Sequence, residues 1–597
     1  MNPNNDYIPL ESNAPLLGLA TTPVSTRLDP AYSPSLLNCT VRDGVVMRRA
    51  GYTKLGRTLV GRVMAITEFG EIGEDPYFVV LTSHRQYAYN PLTEDFVDLT
   101  PDQVTHAITD LNAGVITIAG NHASDFPAGR LIPIIGGANE GVYTVDTATD
   151  VGSDTEITVV EALPSVAVEG DIVLASDWET GERDQIEFAS LTDINKHQLL
   201  ITNGVDTPRF WEGDIGTGFA DWSPTITSIS GFVTFKTLAV FSETLFLGGT
   251  VASDNQPQML AWSTAGDFED FDTGTSGSQL LYQINEIVAL KVLGDRLTIY
   301  SYDAIMTGVF VDAPAYFAFE VVIPEGTRLV SAKSVLSINV GHVYASEENF
   351  YIFDGTRGLR VIGDAIKSDY KRRKDQENLH LVCALNDFSK RVLFYAIPQL
   401  DGGSIVYTTE YDAFDLSRIT WAREEYAHDP RTFGFFTNRD VVLTWDDAPW
   451  EATNTPWSNE LGAWLEESEQ LQFPIRCFGT NDGEVFLVTE GALTDNGTAT
   501  TQEYQTLDFA IPEAFHSLIG RWGEIEFEGF GSSVDVAFST DQGRSFTDLE
   551  TVTLQPNPSY QRIPFDYSSR NLRLRFQSEV DFGLRWIRVW VRPGGPR

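Results

Sequence analysis

The side chains that could bind a transition metal or serve as nucleophile and base are eight histidines (His84, His106, His122, His197, His342, His380, His428 and His516) and three cysteines (Cys39, Cys383 and Cys477). Their spacing argues against both chemistries. No two histidines stand at the separation that puts a pair of metal ligands on one strand or one helix face, and there is no CxxC pair, so neither a zinc site nor a disulfide framework is expected. The cysteines read as small buried residues and the histidines as surface or packing residues. GxSxG, HExxH and P-loop patterns are absent, which removes the common hydrolase and nucleotide-binding signatures. Asp446-Asp447 and Glu466-Glu467 could in principle supply a pair of acids for glycoside cleavage. With 84 carboxylates in the chain, adjacent acids arise by chance and carry little weight. No catalytic residue, metal ligand or cofactor is therefore expected.

Two groups of residues do suggest local structure or docking. Ser539, Asp541, Gly543 and Phe546 have the spacing of the Asp-box found in sialidases and other propeller proteins. There a carboxylate accepts hydrogen bonds from turn amides, glycine takes the positive-φ position and the aromatic covers the hairpin base, so the expected role is structural. Basic residues are scarce, which makes their clusters informative. Lys367, Lys371, Arg372, Arg373 and Lys374 form one; Arg562, Arg570, Arg573, Arg575, Arg585, Arg588, Arg592 and Arg597 form another near the carboxyl terminus. They serve either docking between subunits or pairing within the chain, and sequence alone leaves both open.

The elements that must carry these groups are strands. Short apolar runs bounded by Gly, Asp, Asn and Pro, among them Tyr77-Phe-Val-Val-Leu81, Leu245-Phe-Leu247 and Val392-Leu-Phe-Tyr395, dominate from about residue 60, and no long stretch keeps a helical period. A short helical piece is expected near Asp375 to Leu381. A strand, a Gly-containing turn and an aromatic recur, as at Asn203-Gly204, Asp354-Gly355 and Asn481-Asp482-Gly483, which is the texture of a degenerate β-propeller. The expected fold is all-β: an amino-terminal arm over 1–60, a propeller over 61–105 and 176–470, a small β-barrel inserted at 106–175 where the rhythm breaks, and a carboxyl-terminal β-sandwich over 471–597. The arm carries Arg42, Arg48, Arg49, Lys54, Arg57 and Arg62 and is expected to lie along the body or along a neighbouring subunit.

The formal charge of −43 repels free nucleic acid, so sequence reading or wrapping of DNA is not expected. A solubilising acidic surface, or adaptation to salt, would explain such a charge. So would a passage through which DNA slides without binding wells. The amino-terminal stretch lacks the basic start and apolar core of a signal peptide, and no run of about 18 apolar residues occurs, so a soluble chain made in the cytoplasm without a membrane-spanning segment is expected.

Asn38 to Tyr52, reading NCTVRDGVVMRRAGY, looks like a phrase common in phage virion proteins. Thr244-LFLGG, Gln258-MLAWST with Gly266-Asp267-Phe268, Val292-LGDRLTIY and Gly341-HVY through Ile362-Gly363 resemble propeller strands of the packaged-DNA stabilisation, or tail nozzle, proteins of short-tailed bacteriophages, and Asn139-EGVYTV is similar to small barrels of phage tail proteins. The likeness covers about residues 30–70 and 195–400. It implies a structural tail hub in the virion: a ring of this chain, a hexamer in that family, below the portal and adaptor proteins and in contact with tail fibre or tail tip proteins. Such a ring continues the DNA channel, retains the packaged genome and allows its ejection without sequence-specific binding. A tail protein that uses the same β modules to bind host-surface glycans is the alternative, and a propeller hydrolase with unrecognised carboxylates ranks behind both.

Overall fold

The computed structural model describes every residue except 1–7, 14–17, 22–31, 43–44, 71–75, 113, 179, 182, 193–195, 228, 252–255, 314, 357, 412–418, 438–473, 490, 511–519, 570 and 594–597. The chain forms two compact units, one of residues 54–327 and 430–487, the other of residues 1–53, 328–429 and 488–597.

In the first unit, four antiparallel meanders of four strands follow one another. They are Val63–Phe69, Tyr77–Thr82, Gln86–Asn90 and Asp95–Asp98; Glu187–Thr192, His197–Thr202, Arg209–Trp211 and Ala220–Asp221; Thr234–Phe241, Thr244–Val251, Met259–Trp262 and Gly277–Leu280; and Ala289–Leu293, Arg296–Tyr300, Ile305–Phe310 and Phe317–Ile323. In the first three the second strand is apolar on both faces because each of these sheets lies between two others. Side chains point alternately to opposite faces of a strand, and the packing follows that alternation. Val79 and Leu81 meet Leu199 and Ile201 of the next blade, whereas Phe78 and Val80 face Phe436, Cys477 and Val485. Leu200 turns the other way, toward Leu245 and Leu247, and Phe246 packs with Leu290, Leu297 and Ile299 of the fourth blade. These are blades of a β-propeller, and a fully buried side chain of this kind contributes about 1.5–3 kcal/mol.

A further blade sheet, Thr432–Phe436, Ile475–Gly479 and Val485–Thr489, packs on the first. Glycine sets that distance: a Cβ on Gly479 would stand 2.2 Å from Val63 Cγ1, and one on Gly434 2.5 Å from Ile66 Cγ2. This corrects the expected start of the sandwich at 471. Residues 475–489 are as apolar as any terminal strand, but the turn with Gly483 at φ +75° returns them onto the blade.

Between the first and second blades lies a closed six-stranded barrel, in the order Val104–Asn112, Val115–Ala119, Asp154–Val159, Gly141–Val151, Leu131–Ile135 and Asp171–Leu174. Ile116, Ile118, Ile132, Ile134, Tyr143, Ile157 and Ile172 fill it. Closure leaves no free sheet edge, so the module is complete without a covering element.

The second unit holds two more blades, Leu336–Ile338, Gly341–Ala345, Phe350–Phe353 and Leu359–Val361, then Cys383–Asp387, Val392–Pro398, Ser404–Glu410 and Thr420–Glu425. The sheet of the latter continues through Ser35–Leu37 into Gln502–Gln505, Asn571–Ser578, Ser533–Ser539 and Thr547–Thr553. A second sheet is built from Ser559–Ser569, Gly520–Gly531, Phe582–Pro593, Val45–Arg48 and Cys39–Arg42, with Ile8–Asn13 paired to Phe582–Pro593. The two sheets face each other as a sandwich, with ring centroids 5.3 Å apart for Phe527 and Phe576 and 5.2 Å for Phe538 and Phe565. Ser35–Leu37, Cys39–Arg42 and Val45–Arg48, expected in an arm, are thus strands of their own chain's sandwich, and Gly51–Leu55 lies in the sheet of Val485–Thr489. Cys39, Val41 and Val46 lie in the sandwich core, where the Pro, Ser and Asn around them had hidden their alternation. The helix also lies earlier than expected, at Lys367–Arg373. Lys374 leaves helical geometry at ψ 139°, and Asp375 accepts from the Glu377 amide at 3.0 Å and from Asn378 at 2.7 Å, a local turn that competes with helix; only a 3-10 turn follows at Leu379–Leu381.

Candidate interaction site

In the helix Lys367–Arg373 two members of the first basic cluster, Arg372 and Arg373, meet one buried carboxylate. Asp369 accepts from Arg372 Nη2 at 2.7 Å, Arg373 Nε at 3.0 Å, Tyr407 Oη at 2.9 Å and Arg423 Nη1 at 3.4 Å. Burial works to raise its pKa, but the Arg372 bond and the charges of Arg423 and Arg373 prevail and hold it below the usual carboxylate range. Lys371 lies 3.8 Å from Glu348, and Lys374 donates to the Glu347 carbonyl and caps the Tyr370 ring. The cluster, with Lys367 at its start, is therefore tied largely to its own chain, while the 73% exposed Arg372 side chain keeps a face in water.

Ser539, Asp541, Gly543 and Phe546 form the turn that their spacing predicts. Ser539 Oγ donates to Asp541 at 2.7 Å and accepts from the Gly543 amide at 2.9 Å; the Ser545 amide and hydroxyl reach Asp541 at 2.9 and 2.6 Å. The Ser545 bonds, with that from Ser539, hold the Asp541 pKa far below the ordinary value. Gly543 has φ +83°, and the Arg575 guanidinium lies 4.7 Å from the Phe546 ring centre. The turn is a hairpin lock in the sandwich.

Pairing across strands brings together groups that sequence spacing could not. His106 and His122, sixteen positions apart, have ring centroids 4.5 Å apart in the barrel, and His122 Nδ1 lies 3.2 Å from Asp125. Among the described residues no group of three His, Cys, Asp or Glu side chains is arranged to hold a metal. Arg85, fully buried, meets Asp177 at 2.6 Å and Asp98 at 3.0 Å and donates to the Val173 carbonyl at 3.0 Å, tying the last barrel strand to the first blade. Arg49 binds Asp495 at 2.6 Å, and Arg573 binds Asp508 at 2.9 Å. In these three places arginine neutralises the carboxylates and their charge goes into structure. A cleft of about 310 Å³ beside the barrel contains Lys54, Arg57 and Asp98, and these pair with Glu484, Asp95 and Arg85. The cysteines are buried, and burial pushes the Cys39 and Cys477 thiols up, away from the reactive thiolate. Asp446, Asp447, Glu466, Glu467, Arg570 and Arg597 lie outside the described residues.

Two surfaces stand apart from this internally balanced chemistry. One is the outer face of the sandwich sheet. Ile587, Val589 and Val591 point into the core, so Trp586, Arg588, Trp590 and Arg592 point outward. Across the neighbouring strands, Glu528 stands opposite Trp586 and Tyr560, and Glu526 opposite Arg588 and Arg562. The Arg588 guanidinium lies 5.6 Å from both tryptophan ring centres, Tyr560 lies 5.5 Å from Trp586, and Trp590 Nε1 donates to Glu526 at 3.1 Å. Burial acts to raise the Glu526 pKa, yet the bonds from Trp590 and Arg562 and the charges of Arg562 and Arg588 hold it low. The other surface is the barrel. Residues 104–174 carry ten carboxylates (Asp110, Asp125, Glu140, Asp146, Asp150, Asp154, Glu156, Glu161, Glu169 and Asp171) against one basic side chain, Arg130. All but Asp154 are exposed.

No protein-family model matches the chain, and no curated protein matches it. Among solved structures it is similar to PorZ, an essential bacterial surface component of the type-IX secretion system of Porphyromonas gingivalis, at 10% identity and a TM-score of 0.26, over 64% of this chain and 40% of that one. It is also similar to the Pan2 WD40 domain of Neurospora crassa, at 9% identity and a TM-score of 0.28, over 64% of this chain and 96% of that chain. The propeller description rests on the strand order and on the alternating cores between blades. Among the described residues no helix is long and apolar enough to cross a membrane.

Proposed function

We propose that this chain is a structural tail nozzle or hub subunit of a short-tailed phage. In that reading copies of it form a ring below the portal and adaptor, continue the DNA channel, retain the packaged genome and let it pass at ejection. The observation that carries the reading is the division of charge. Buried Asp369, Asp495 and Glu526 are paired with arginine within the fold, while nine of the ten carboxylates of the barrel stand in water. A wall of that sign repels phosphate at every position along a path, so DNA finds no site at which to stop. Negative-stain imaging of the purified chain, and of virions labelled with an antibody to it, tests the proposal. A ring on the tail axis with an acidic lumen is expected; a neutral or basic lumen, or a location away from the axis, refutes it. A second reading, host-glycan binding, draws on Trp586, Trp590 and Tyr560 beside arginine and glutamate. Binding on a glycan array by a monomeric chain would favour it.

A further inference from the structure

The outer sandwich face differs in kind from the rest of the molecule. Arg562, Arg585, Arg588 and Arg592 stand against Glu524, Glu526 and Glu528, in a chain where acids outnumber bases 84 to 41. Tyr560 is 67% exposed. Tryptophan, tyrosine and arginine are the residue types that dominate binding energy at protein interfaces, because the two aromatics cover much area with few rotatable bonds and arginine pairs with carboxylate in a two-toothed geometry.

The barrel carries the complementary chemistry. Val160, Val166 and Val168 are 68, 79 and 47% exposed, and Glu161 and Glu169 stand exposed beside them. These three exposed valines lie within one nine-residue stretch of the segment between Asp154–Val159 and Asp171–Leu174 and are not among the side chains that fill the barrel. We propose that the arginine–tryptophan face of one copy docks the acidic, valine-bearing barrel of a second copy. Apolar area meets apolar area, and guanidinium meets carboxylate. Because the two surfaces differ, each copy offers one of each and the contact is head-to-tail, the type that generates rings or filaments. This rests on the ring reading above and names the contact that builds it. DNA fits the face less well: Glu524, Glu526 and Glu528 run along the strand between the arginine-bearing strands and would oppose phosphate. For a flat sugar ring, the Arg588 guanidinium already occupies space beside both tryptophans.

The test uses two full-length variants altered only at exposed positions, Y560A/R562E on the face and V166K/E169K on the barrel, each checked for wild-type melting. Sedimentation velocity is expected to show the wild type assembling, more weakly as salt rises from 0.1 to 1 M. Each variant alone should lose assembly by roughly tenfold or more in affinity. Mixing them should restore a dimer and nothing larger, because the mixture holds one intact face and one intact barrel per pair. Variants that assemble like wild type, or a mixture that stays monomeric, overturn the docking proposal even if wild-type rings form. A wild type that stays monomeric also overturns it, and the nozzle reading is then decided by virion imaging alone. Duplex DNA or a glycan that binds wild type and not Y560A/R562E, with assembly unchanged in that variant, assigns the face to that ligand and overturns the proposal.

Discussion

Replacing Asp369 by asparagine removes one negative charge from the centre of the basic cluster and keeps the shape of the side chain. Its carboxylate is fully buried and faces three arginines and the Tyr407 hydroxyl. The three arginines are not equivalent. Arg372 is 73% exposed and is rehydrated at little cost, Arg373 also lies 4.0 Å from Glu425, but Arg423 is only 12% exposed and loses its counter-charge. Breaking a buried pair costs about 3–5 kcal/mol, and partial rehydration puts this case near 3. That is roughly a hundredfold in the folding equilibrium and a fall in Tm of roughly 6–12 °C for a unit of this size. The pH dependence gives an independent check. The folded pKa of Asp369 is depressed, so its contribution is complete above the unfolded carboxylate value near 3.9 and is lost as pH falls through the folded value. Urea unfolding should therefore separate wild type from Asp369→Asn by about 3 kcal/mol at pH 7, and the separation should shrink below pH 4. A difference under about 1 kcal/mol at pH 7, or one unchanged at pH 3, refutes the view that this carboxylate organises the cluster. Arg372→Ala, at an exposed position, should stay within about 0.5 kcal/mol of wild type.

Arg85→Met should cost about 3 kcal/mol by stranding Asp98 and leaving Asp177 with Arg130 alone, and hydrogen exchange should rise first in the barrel strands that Arg85 holds to the blade. Gly543→Ala forces a side chain into φ +83° with its Cβ 2.5 Å from Arg573 Nη1, so a loss of roughly 1–2 kcal/mol is expected in the denaturation midpoint; an unchanged midpoint would show that the turn is not strained. His106 is held below its ordinary pKa, first by burial and then by the His122 charge. Its neutral form therefore supports the barrel above about pH 6.5, and that support is lost as pH falls through the folded value. Differential scanning calorimetry at pH 8 and pH 5 should show a smaller drop for His106→Asn than for wild type.

Local chemistry was legible in the sequence and distant pairing was not. The Asp-box works within eight residues, so Ser539, Asp541 and Gly543 declare their turn by spacing alone. Continuous apolar runs such as Tyr77–Thr82 signal strands covered on both faces, and the change of texture after residue 105 marks the barrel. By contrast, nothing in the run Val485–Thr489 says whether it pairs with a blade or a sandwich, because a strand's composition reports burial and not the identity of its neighbour. The Arg85–Asp177 and Arg49–Asp495 pairs join residues far apart in the chain. His106 and His122 meet because the hairpin that pairs Ile108 with Ile118 carries the start of one strand beside the turn after the next. The alternation of Arg588 with Trp586 and Trp590 was visible as a strand with one wet face, yet its significance depends on Tyr560 and Arg562, which two strands of pairing bring alongside.

The sandwich joins strands that stand more than 450 residues apart: Ser35–Leu37 pairs with Gln502–Gln505, and Val45–Arg48 with Phe582–Pro593. On a ribosome adding about 5–20 residues per second, the first of these strands waits roughly 25–90 seconds for its partner. The blades of residues 63–323 can pack during that time, each on the one before it, while the early strands remain unmatched. Completion of the sandwich is then a checkpoint on synthesis of residues 502–593, since a chain released before them leaves Cys39, Val41 and Val46 without the strands that cover them. A truncated product would thus expose apolar surface and be open to proteolysis before it could enter an assembly.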